Sequence, residues 1–436
     1  MTTVAAVKLW GSRIGAVVLD DDEAVAVFEY EPDFTASGIE VSPLEMPLSR
    51  GARYSFPALE HRSFSGLPGL LSDSLPDRYG QALIDAWLAA QGRTPDSFNA
   101  VERLCYVGQH GMGALEYTPA LGPRAARSQA LDVRAVGELA AEVLRDRSGL
   151  SASFGEKRRA QAVEEILRVG TSAGGARAKA LIALNQNTGE VRSGQLDVDP
   201  GFEHWILKFD GIDDESRDLG ASHDYGAIEL AYARMAARAG IEMSECRLLE
   251  EGERRHFMTR RFDRLPDGSK LHMQSLGALA HLDYHQAGAH SYEQAFMTIR
   301  RLGLPMAAIE EQFRRMAFNV VSRNQDDHVK NIAFLMDRGG EWRLSPAFDL
   351  VYSYNPSGAW TAEHQMSLNS KRDAFTVEDF REVGRTASMK QGRAEEILAE
   401  VTAAVETWPE AAETVGVDEL RIARIKRSHR LRLPPG

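Results

Sequence analysis

Apolar and polar residues alternate over the first thirty positions, in runs separated by a turn at 11–13 and by three aspartates at 20–22. This period of two predicts a meander of short β-strands. Residues 31–75 are rich in Pro, Ser and Gly, which favours long ordered loops. After Pro76-Asp77 the pattern predicts a helix that ends at Gly92. Residues 1–125 are therefore expected to form a small α+β domain.

The middle of the chain is expected to be strand-rich. A helix is predicted over 133–147 and a polar linker over 148–159. Apolar strands follow in RAKALIALNQ and HWILKFD, then a helix over 224–239 and short strands around HFMTRRFDR. These elements define a second expected domain, residues 126–265.

From Leu276 onward the pattern predicts mainly helices, interrupted once by a hairpin at 332–345. Residues 266–436 are therefore the third expected domain, and the fold class is α+β. A cleft between a strand-rich and a helical part is a common place for a small-molecule site.

Composition narrows the class of protein. Of the 436 residues, 43% are hydrophobic and 26% are charged, which excludes a disordered or fibrous chain. The net charge of −12 argues against general nucleic-acid binding, which depends on cationic surface. Two cysteines, Cys105 and Cys246, are too few for a disulfide scaffold or a Cys-based zinc site and fit a reducing compartment. Because no run of 18 apolar residues occurs, we expect a soluble, cytoplasmic protein with no membrane partner.

The segment RNQDDHVKN, residues 323–331, carries the most informative motif. Asp326 and Asn331 stand in the spacing D-x-x-x-x-N, which in protein kinases sets a catalytic carboxylate before an amide that binds Mg²⁺. The predicted hairpin returns the chain to Asp349, which follows an aromatic residue and could be a second oxygen ligand for Mg²⁺. The alternative is that these residues simply form turns in a polar loop.

Two upstream features fit the same chemistry. Lys208 lies within the apolar strand HWILKFD and, if buried, needs an anionic partner such as a phosphate; otherwise it lies on a solvent-exposed edge. The Gly-rich stretch GTSAGGARAK, residues 170–179, would let backbone N–H groups approach a phosphate, or it is an ordinary hairpin turn. It is not a P-loop, because Ala176-Arg177 stands where Lys-Ser/Thr is required.

The order Gly-rich turn, Lys on a strand, D-x-x-x-x-N, Asp is that of a phosphotransferase. With TSAGGARAKALI, HWILKFD, FMTRRFDR, LHMQSLGALAHLD, NQDDHVKN and SPAFDLVYSY, and with the N-terminal segments FEYEPDFTASGIEVSPLEMPL and GLPGLLSDSLPDRYG, the chain resembles the HipA-type serine/threonine kinases. These are toxins of bacterial toxin–antitoxin pairs. The resemblance implies a two-lobed, protein-kinase-like fold with an N-terminal accessory domain, and ATP and Mg²⁺ as cofactors.

The resemblance also implies roles for individual residues. Asp326 would be the catalytic base with His328 beside it, although the adjacent Asp327 leaves open which aspartate is the base. Ser172 would be the residue whose autophosphorylation switches the kinase off; otherwise it is a small turn residue. The Mg²⁺ ligands would be Asn331 and Asp349, and the ATP-binding residues would be Lys208, Gly174, Gly175, Ala176, Lys179, Arg261 and Phe262.

The implied partners are a helix-turn-helix antitoxin on a separate chain and a protein substrate in translation, such as an aminoacyl-tRNA synthetase. DNA would be bound only indirectly, through the antitoxin. The basic segment RIARIKRSHRLR near residue 430 is expected to be a cationic final helix that complements its own dipole, and the alternative is a DNA contact. Two other functions stay open: a nucleotide-binding co-repressor without turnover, and a small-molecule kinase.

Overall fold

The structure is a computed structural model that describes residues 2–20, 23–121, 131–138, 178–194, 199–211 and 224–436. Contacts divide the chain into two units. Unit 1 comprises Met1–Asp214, Met258–Gln274 and Leu335–Glu341, and unit 2 comprises Glu215–Phe257, Ser275–Phe334 and Trp342–Gly436. The domain limits at residues 125 and 265 stay predictions.

The predicted meander forms an antiparallel sheet in unit 1, with strand order β4-β3-β2-β1-β5. The strands are β1 (Thr2–Leu9), β2 (Ser12–Asp20), β3 (Val27–Tyr30), β4 (Arg53–Tyr54) and β5 (Leu115–Thr118). Alternate residues such as Val7 and Val17 are fully buried, so one face of the sheet packs into the core. A Cβ atom on Gly15 would lie 2.5 Å from the carbonyl oxygen of Glu29, so a glycine is needed where β2 meets β3.

Helices accompany this sheet in unit 1. The predicted loop region contains three one-turn helices, α1 (Pro32–Thr35), α2 (His61–Phe64) and α3 (Gly69–Ser72). The helix predicted after Pro76-Asp77 is α4 (Arg78–Ala90), and Asp77 caps it by accepting a hydrogen bond from the Gly80 N–H. Helix α5 (Ala100–Val107) begins with a capping box at Asn99 and packs on β1.

The second sheet of unit 1 contains the two predicted apolar strands. They are β6 (Lys179–Asn185) and β8 (Phe202–Lys208), with β7 (Val191–Ser193) beside β6 and the end of β10 (Arg254–Arg260) beside β8. Their antiparallel register places Lys179 opposite Lys208. Residues 133–138 are helical, while the rest of the helix predicted over 133–147 and the linker predicted over 148–159 lie outside the described residues.

Unit 2 is mainly helical. Its helices are α6 (Tyr225–Arg238), α7 (Leu276–Leu279), α8 (Tyr292–Arg301), α9 (Met306–Ser322), α10 (Val377–Thr386), α11 (Arg393–Glu406), α12 (Trp408–Glu413) and α13 (Glu419–Ser428). The central helix is α9, which is buried along most of its length and packs against α8 and α11. None of the helices within the described ranges is long and apolar enough to cross a membrane.

Strands and irregular segments complete unit 2. Short strands of unit 2 are β9 (Cys246–Glu251), β12 (His290–Ser291) and β15 (Met366–Ser367), while β11 (His272–Ser275) belongs mostly to unit 1. The predicted hairpin is present as β13 (Ala333–Met336) and β14 (Trp342–Leu344), and its tip, Leu335–Glu341, is assigned to unit 1. The prediction of only one interruption was wrong, because residues 345–376 contain turns and β15 but no helix. Pro346, Pro356 and Gly358 account for this, since each is a poor residue for a helix interior.

Candidate functional site

The predicted catalytic loop, residues 323–331, follows helix α9. The helix ends at Arg323, which adopts the left-handed conformation with φ of 61°. The last carbonyl groups of a helix have no partner within it and need other donors. In α9 these donors are the Arg430 side chain for Val320, the Arg430 N–H for Val321 and the Tyr232 hydroxyl for Ser322. The entry into the loop is therefore fixed by packing within unit 2.

The two adjacent aspartates of the loop have opposite environments. The Asp326 side chain is 44% exposed, and its Oδ1 accepts a hydrogen bond of 2.6 Å from the Trp360 indole N–H. Asp327 is buried and accepts three hydrogen bonds, from the Tyr292 hydroxyl (2.6 Å), His364 Nδ1 (2.7 Å) and the Gln365 N–H (2.8 Å). Solvent reaches the first carboxylate, while the second is committed to the protein.

The pKa of Asp327 reflects its donors. Burial alone would raise this pKa, because it disfavours the charged carboxylate. Hydrogen bonds from His364, Tyr292 and the Gln365 N–H act against burial and lower the pKa of Asp327 below its ordinary value. Asp327 is thus an ionised anchor at neutral pH.

Asn331 is oriented by the same loop. It ends a single 3-10 turn, Val329–Asn331, and its Nδ2 donates a hydrogen bond of 2.7 Å to the carbonyl oxygen of Asp326. Because the amide nitrogen is used in this way, its Oδ1 is left as the acceptor for an external group. The D-x-x-x-x-N spacing therefore has a direct structural cause: its two ends bond to each other.

Asp349 is brought beside the loop by backbone pairing. Residues 324 and 353 form a parallel bridge, and Asn324 Nδ2 donates to the carbonyl oxygen of Asp349 at 3.3 Å. Asp349 has a φ of 54°, a left-handed conformation that Asp tolerates better than most residues. Such conformations are concentrated at functional sites.

Asn331 and Asp349 line one cavity of about 20 Å³, which has room for about one water-sized group. Asn324 and His328 line it too, and Asn324 Oδ1 is a buried acceptor with no hydrogen-bond partner in the described part of the chain. Carboxylate and amide oxygens are the protein ligands that Mg²⁺ prefers, and this ion usually takes only one or two carboxylates. The donor set therefore fits Mg²⁺, although no cluster of three His, Cys, Asp or Glu side chains is found within the described ranges.

His328 is part of the loop and lies next to the aromatic side chain of Tyr284. Its Nε2 is 3.9 Å from Asp326 Oδ1, and its ring lies 5.6 Å from that of Tyr284. The Lys330 ammonium lies 4.9 Å from the centre of the same Tyr284 ring. His328 thus lies near the exposed aspartate, and its part in catalysis stays a prediction.

Lys208 and Lys179 belong to unit 1. Lys208 is buried at 8% exposure on β8, which excludes the solvent-exposed edge position. Lys179, opposite it on β6, has its Nζ 3.8 Å from Oδ2 of Asp77, the buried N-cap residue of α4. Two buried lysines thus lie opposite each other on neighbouring strands, and the Asp77 carboxylate lies near Lys179.

Arg261 forms a buried ion network in unit 1. Its guanidinium donates to Asp263 at 2.9 and 2.7 Å, and Arg264 and the Gly113 N–H donate to the same carboxylate. Burial would raise the pKa of Asp263, but the charges of Arg261 and Arg264 lower it well below its ordinary value. The Arg261 backbone N–H already donates to the carbonyl oxygen of His204. An adenine would therefore have to contact the carbonyl group of Arg261, or Phe262.

Other predicted residues cannot be placed. Ser172, Gly174, Gly175 and Ala176 lie outside the described residues. The structure also shows residues that sequence reasoning missed, namely Tyr292, Trp360, His364 and Arg430. No fixed spacing links these residues to the D-x-x-x-x-N motif. Tyr292 begins helix α8, Trp360 and His364 lie in an irregular segment, and Arg430 follows α13. Arg430 was expected in a final helix, but α13 ends at Ser428, and the Arg430 side chain is largely buried.

Family models match most of the chain. The HipA N-terminal domain matches residues 5–118, and the HipA-like C-terminal domain matches residues 171–408. A "Putative kinase" of Haemophilus influenzae is 30% identical over 136 residues, which are 28% of this chain and 40% of that protein. "Putative kinase Y4mE" of Sinorhizobium fredii is 26% identical over 127 residues, 27% of this chain and 30% of that protein. The chain thus spans less than half the length of these relatives.

A solved structure matches nearly the whole chain. It is a chain of the Shewanella oneidensis MR-1 toxin–antitoxin complex of HipA, HipB and operator DNA, with a TM-score of 0.65 and 16% identity. The match covers 97% of this chain and 95% of that one. It confirms the predicted α+β fold class, since the chain has the fold of that HipA chain. Because the HipA-like C-terminal domain alone matches more than half of the sequence, the protein belongs to the HipA family, as its motifs predicted.

Proposed function

We propose that this protein is an ATP- and Mg²⁺-dependent serine/threonine protein kinase that acts as a growth-arresting toxin. One observation carries the proposal: an exposed Asp326 carboxylate whose own backbone carbonyl orients Asn331, which lines one cavity together with Asp349. This is the arrangement that phosphoryl transfer needs, with a base for the acceptor hydroxyl and oxygen ligands for a cation.

The roles of the residues follow from their contacts. Trp360 holds one oxygen of Asp326, so the carboxylate can receive the proton of a bound serine or threonine hydroxyl in a defined orientation. Asn331 and Asp349 would hold Mg²⁺, which neutralises charge on the transferred phosphoryl group. Lys208, with Lys179, would bind the nucleotide phosphates, because an ammonium group attracts and neutralises phosphate charge.

The biological setting is proposed by analogy. The similar Shewanella oneidensis HipA is found with HipB and operator DNA, which supports a helix-turn-helix antitoxin as partner and indirect DNA binding. A translation component such as an aminoacyl-tRNA synthetase is the proposed substrate in the cytoplasm. Ser172 is proposed as the autophosphorylation site, because a phosphate there would compete with ATP for the Gly-rich loop.

Labelled ATP with Mg²⁺ tests this proposal. Label on the protein itself that is lost in Ser172→Ala, and label on lysate proteins that is lost in Asp326→Asn, would support a protein kinase. Nucleotide binding without transfer to any acceptor would instead indicate a co-repressor. Label confined to the small-molecule fraction would indicate a small-molecule kinase, and either result would overturn the proposal.

A further inference from the structure

Arg430 links the segment after α13 to the support of the catalytic loop. Its Nη1 lies 2.9 Å from His364 Nε2, and its Nη2 donates to Asp373. The guanidinium also lies 5.3 Å from the centre of the Phe375 ring. Backbone pairing holds the surrounding segment in place, because the N–H groups of residues 377 and 378 donate to carbonyls at 434 and 435. Arg430 is therefore a fixed element of unit 2.

The contact with Arg430 determines which nitrogen of His364 carries a proton. A guanidinium has only donors, so His364 Nε2 must accept the hydrogen bond. A neutral imidazole that accepts at Nε2 carries its proton at Nδ1. That proton is donated to Asp327 at 2.7 Å. His364 is thus neutral, in a single tautomer, and donates to the anchor of the loop.

Asp327 transmits this constraint to the exposed aspartate. The two residues share a peptide unit, and Asp327 cannot move without displacing Asp326. Two other donors, Tyr292 and the Gln365 N–H, hold the same carboxylate. Tyr292 in turn accepts from Asn319, which accepts from Asn324, the residue that donates to the Asp349 carbonyl. One buried network therefore reaches both the proposed base and the proposed metal ligand.

We propose that Arg430 is a positioning residue for phosphoryl transfer, which acts by holding His364 in the tautomer that anchors Asp327. This inference rests on the proposed kinase function. Its effect should fall on the reaction step and not on nucleotide binding, because Arg430 has no contact with Asp326, Asn331 or Asp349 among the described hydrogen bonds. Replacing a residue that orients a functional group without itself reacting typically lowers activity about 10- to 100-fold. We therefore expect Arg430→Met to lower kcat by a factor in this range and to leave the KM for ATP unchanged.

A double-mutant cycle separates positioning from structural support. His364→Asn keeps an amide donor near the Nδ1 position for Asp327, but its donation no longer depends on Arg430. Adding Arg430→Met to His364→Asn should therefore lower kcat little further, although it lowers kcat strongly in the wild type. If Arg430→Met costs the same factor in both backgrounds, Arg430 supports the fold only and the inference is wrong.

A matched control is available on helix α9, whose last carbonyl groups accept from Arg430. Arg314 also ties α9 to another element, donating to the carbonyl oxygen of Ala239 at 2.7 Å, and it does not contact the loop. Arg314→Met should leave kcat within about twofold of the wild-type value, because it removes a comparable tie without touching His364. An equal loss of kcat in Arg314→Met and Arg430→Met would also overturn the inference.

A spectroscopic measurement tests the inference without relying on activity. In ¹⁵N-labelled protein, His364 should show a protonated Nδ1 and an unprotonated Nε2, and Arg430→Met should mix the tautomers. The Trp360 indole N–H, which donates to Asp326, should shift in Arg430→Met but not in Arg314→Met. A wild-type His364 protonated at Nε2 would refute the tautomer. Correct spectra in a protein that transfers no phosphate would instead refute the proposed function, and with it a role in catalysis.

Discussion

Replacing each of the two adjacent aspartates by asparagine should separate activity from stability. Asp326 is half-exposed and accepts one hydrogen bond, from Trp360, that an asparagine oxygen can still accept. Asp326→Asn should therefore change the free energy of unfolding by no more than about 0.5 kcal/mol. Since it removes the proposed base, the rate of phosphoryl transfer should fall about 10²- to 10⁴-fold, with ATP binding retained.

Asp327→Asn should have the larger effect on stability. Its carboxylate accepts from three buried donors, and an asparagine has only one acceptor oxygen, so at least one donor would face an NH₂ group. Losing a hydrogen bond to a buried charge costs about 1.5–3 kcal/mol. Urea denaturation followed by circular dichroism measures this cost. Should the variant not fold, Tyr292→Phe keeps the carboxylate and removes one of its three donors, which by the same reasoning costs about 1.5–3 kcal/mol.

The reverse pattern would refute this reasoning. If Asp327→Asn is as stable as the wild type and inactive, while Asp326→Asn retains transfer, then the base is Asp327 and the burial argument fails. Transfer should be measured at saturating ATP and at a temperature where each variant is folded, so that unfolding cannot imitate a loss of chemistry.

Three further outcomes are expected. Trp360→Phe leaves Asp326 Oδ1 without its indole donor and should lower kcat about tenfold, at constant KM for ATP, in steady-state kinetics; an unchanged kcat would show that the indole does not orient the base. Asp349→Asn should raise the Mg²⁺ concentration needed for half-maximal transfer at least about tenfold, because the cation loses a carboxylate; a Mg²⁺ titration equal to that of the wild type would exclude Asp349 as a ligand. The pKa of Asp263 is lower in the folded than in the unfolded state, where it is about 3.8, so its stabilisation is complete above pH 4 and is lost as the pH falls toward the folded value. Asp263→Asn should therefore be less stable than the wild type at pH 7, with a difference that shrinks below pH 4 in urea titrations; a constant difference would contradict the ionised buried state.

Much of the fold follows from local patterns in the sequence. The alternation in β1 and β2 identified the first sheet, and Asp77 marked the start of α4, because period and capping depend only on neighbouring residues. The prediction failed over 345–376, where a coil of turns replaces the expected helices. Pro346, Pro356 and Gly358 disfavour helix there, but the particular conformation of the segment depends on contacts with distant residues, since it contributes Trp360, His364 and Gln365 to the loop support.

The same distinction holds at the candidate site. The spacing of Asp326 and Asn331 was visible because the two residues bond across one short loop. The spacing to Asn331 favoured Asp326 over Asp327 as the base, but the difference in burial between them was not visible, because it depends on Tyr292 and His364 far along the chain. The placement of Arg430 was likewise invisible, since it stands in a run of cationic residues that otherwise resembles an exposed helix.

The adjacent residues Asp326 and Asp327 have complementary roles. Along an extended loop, successive side chains point to opposite sides, so one aspartate can enter the interior while the next faces solvent. A smaller residue at position 327 would leave the loop without a buried charge, and Asp326 would then be held by Trp360 and its own backbone contacts only. With Asp327 ionised and bonded to three donors, rotation of the loop would have to break charge-assisted hydrogen bonds to a buried carboxylate, which is costly. The exposed Asp326 carboxylate is thereby held in place by a neighbour whose own carboxylate is buried.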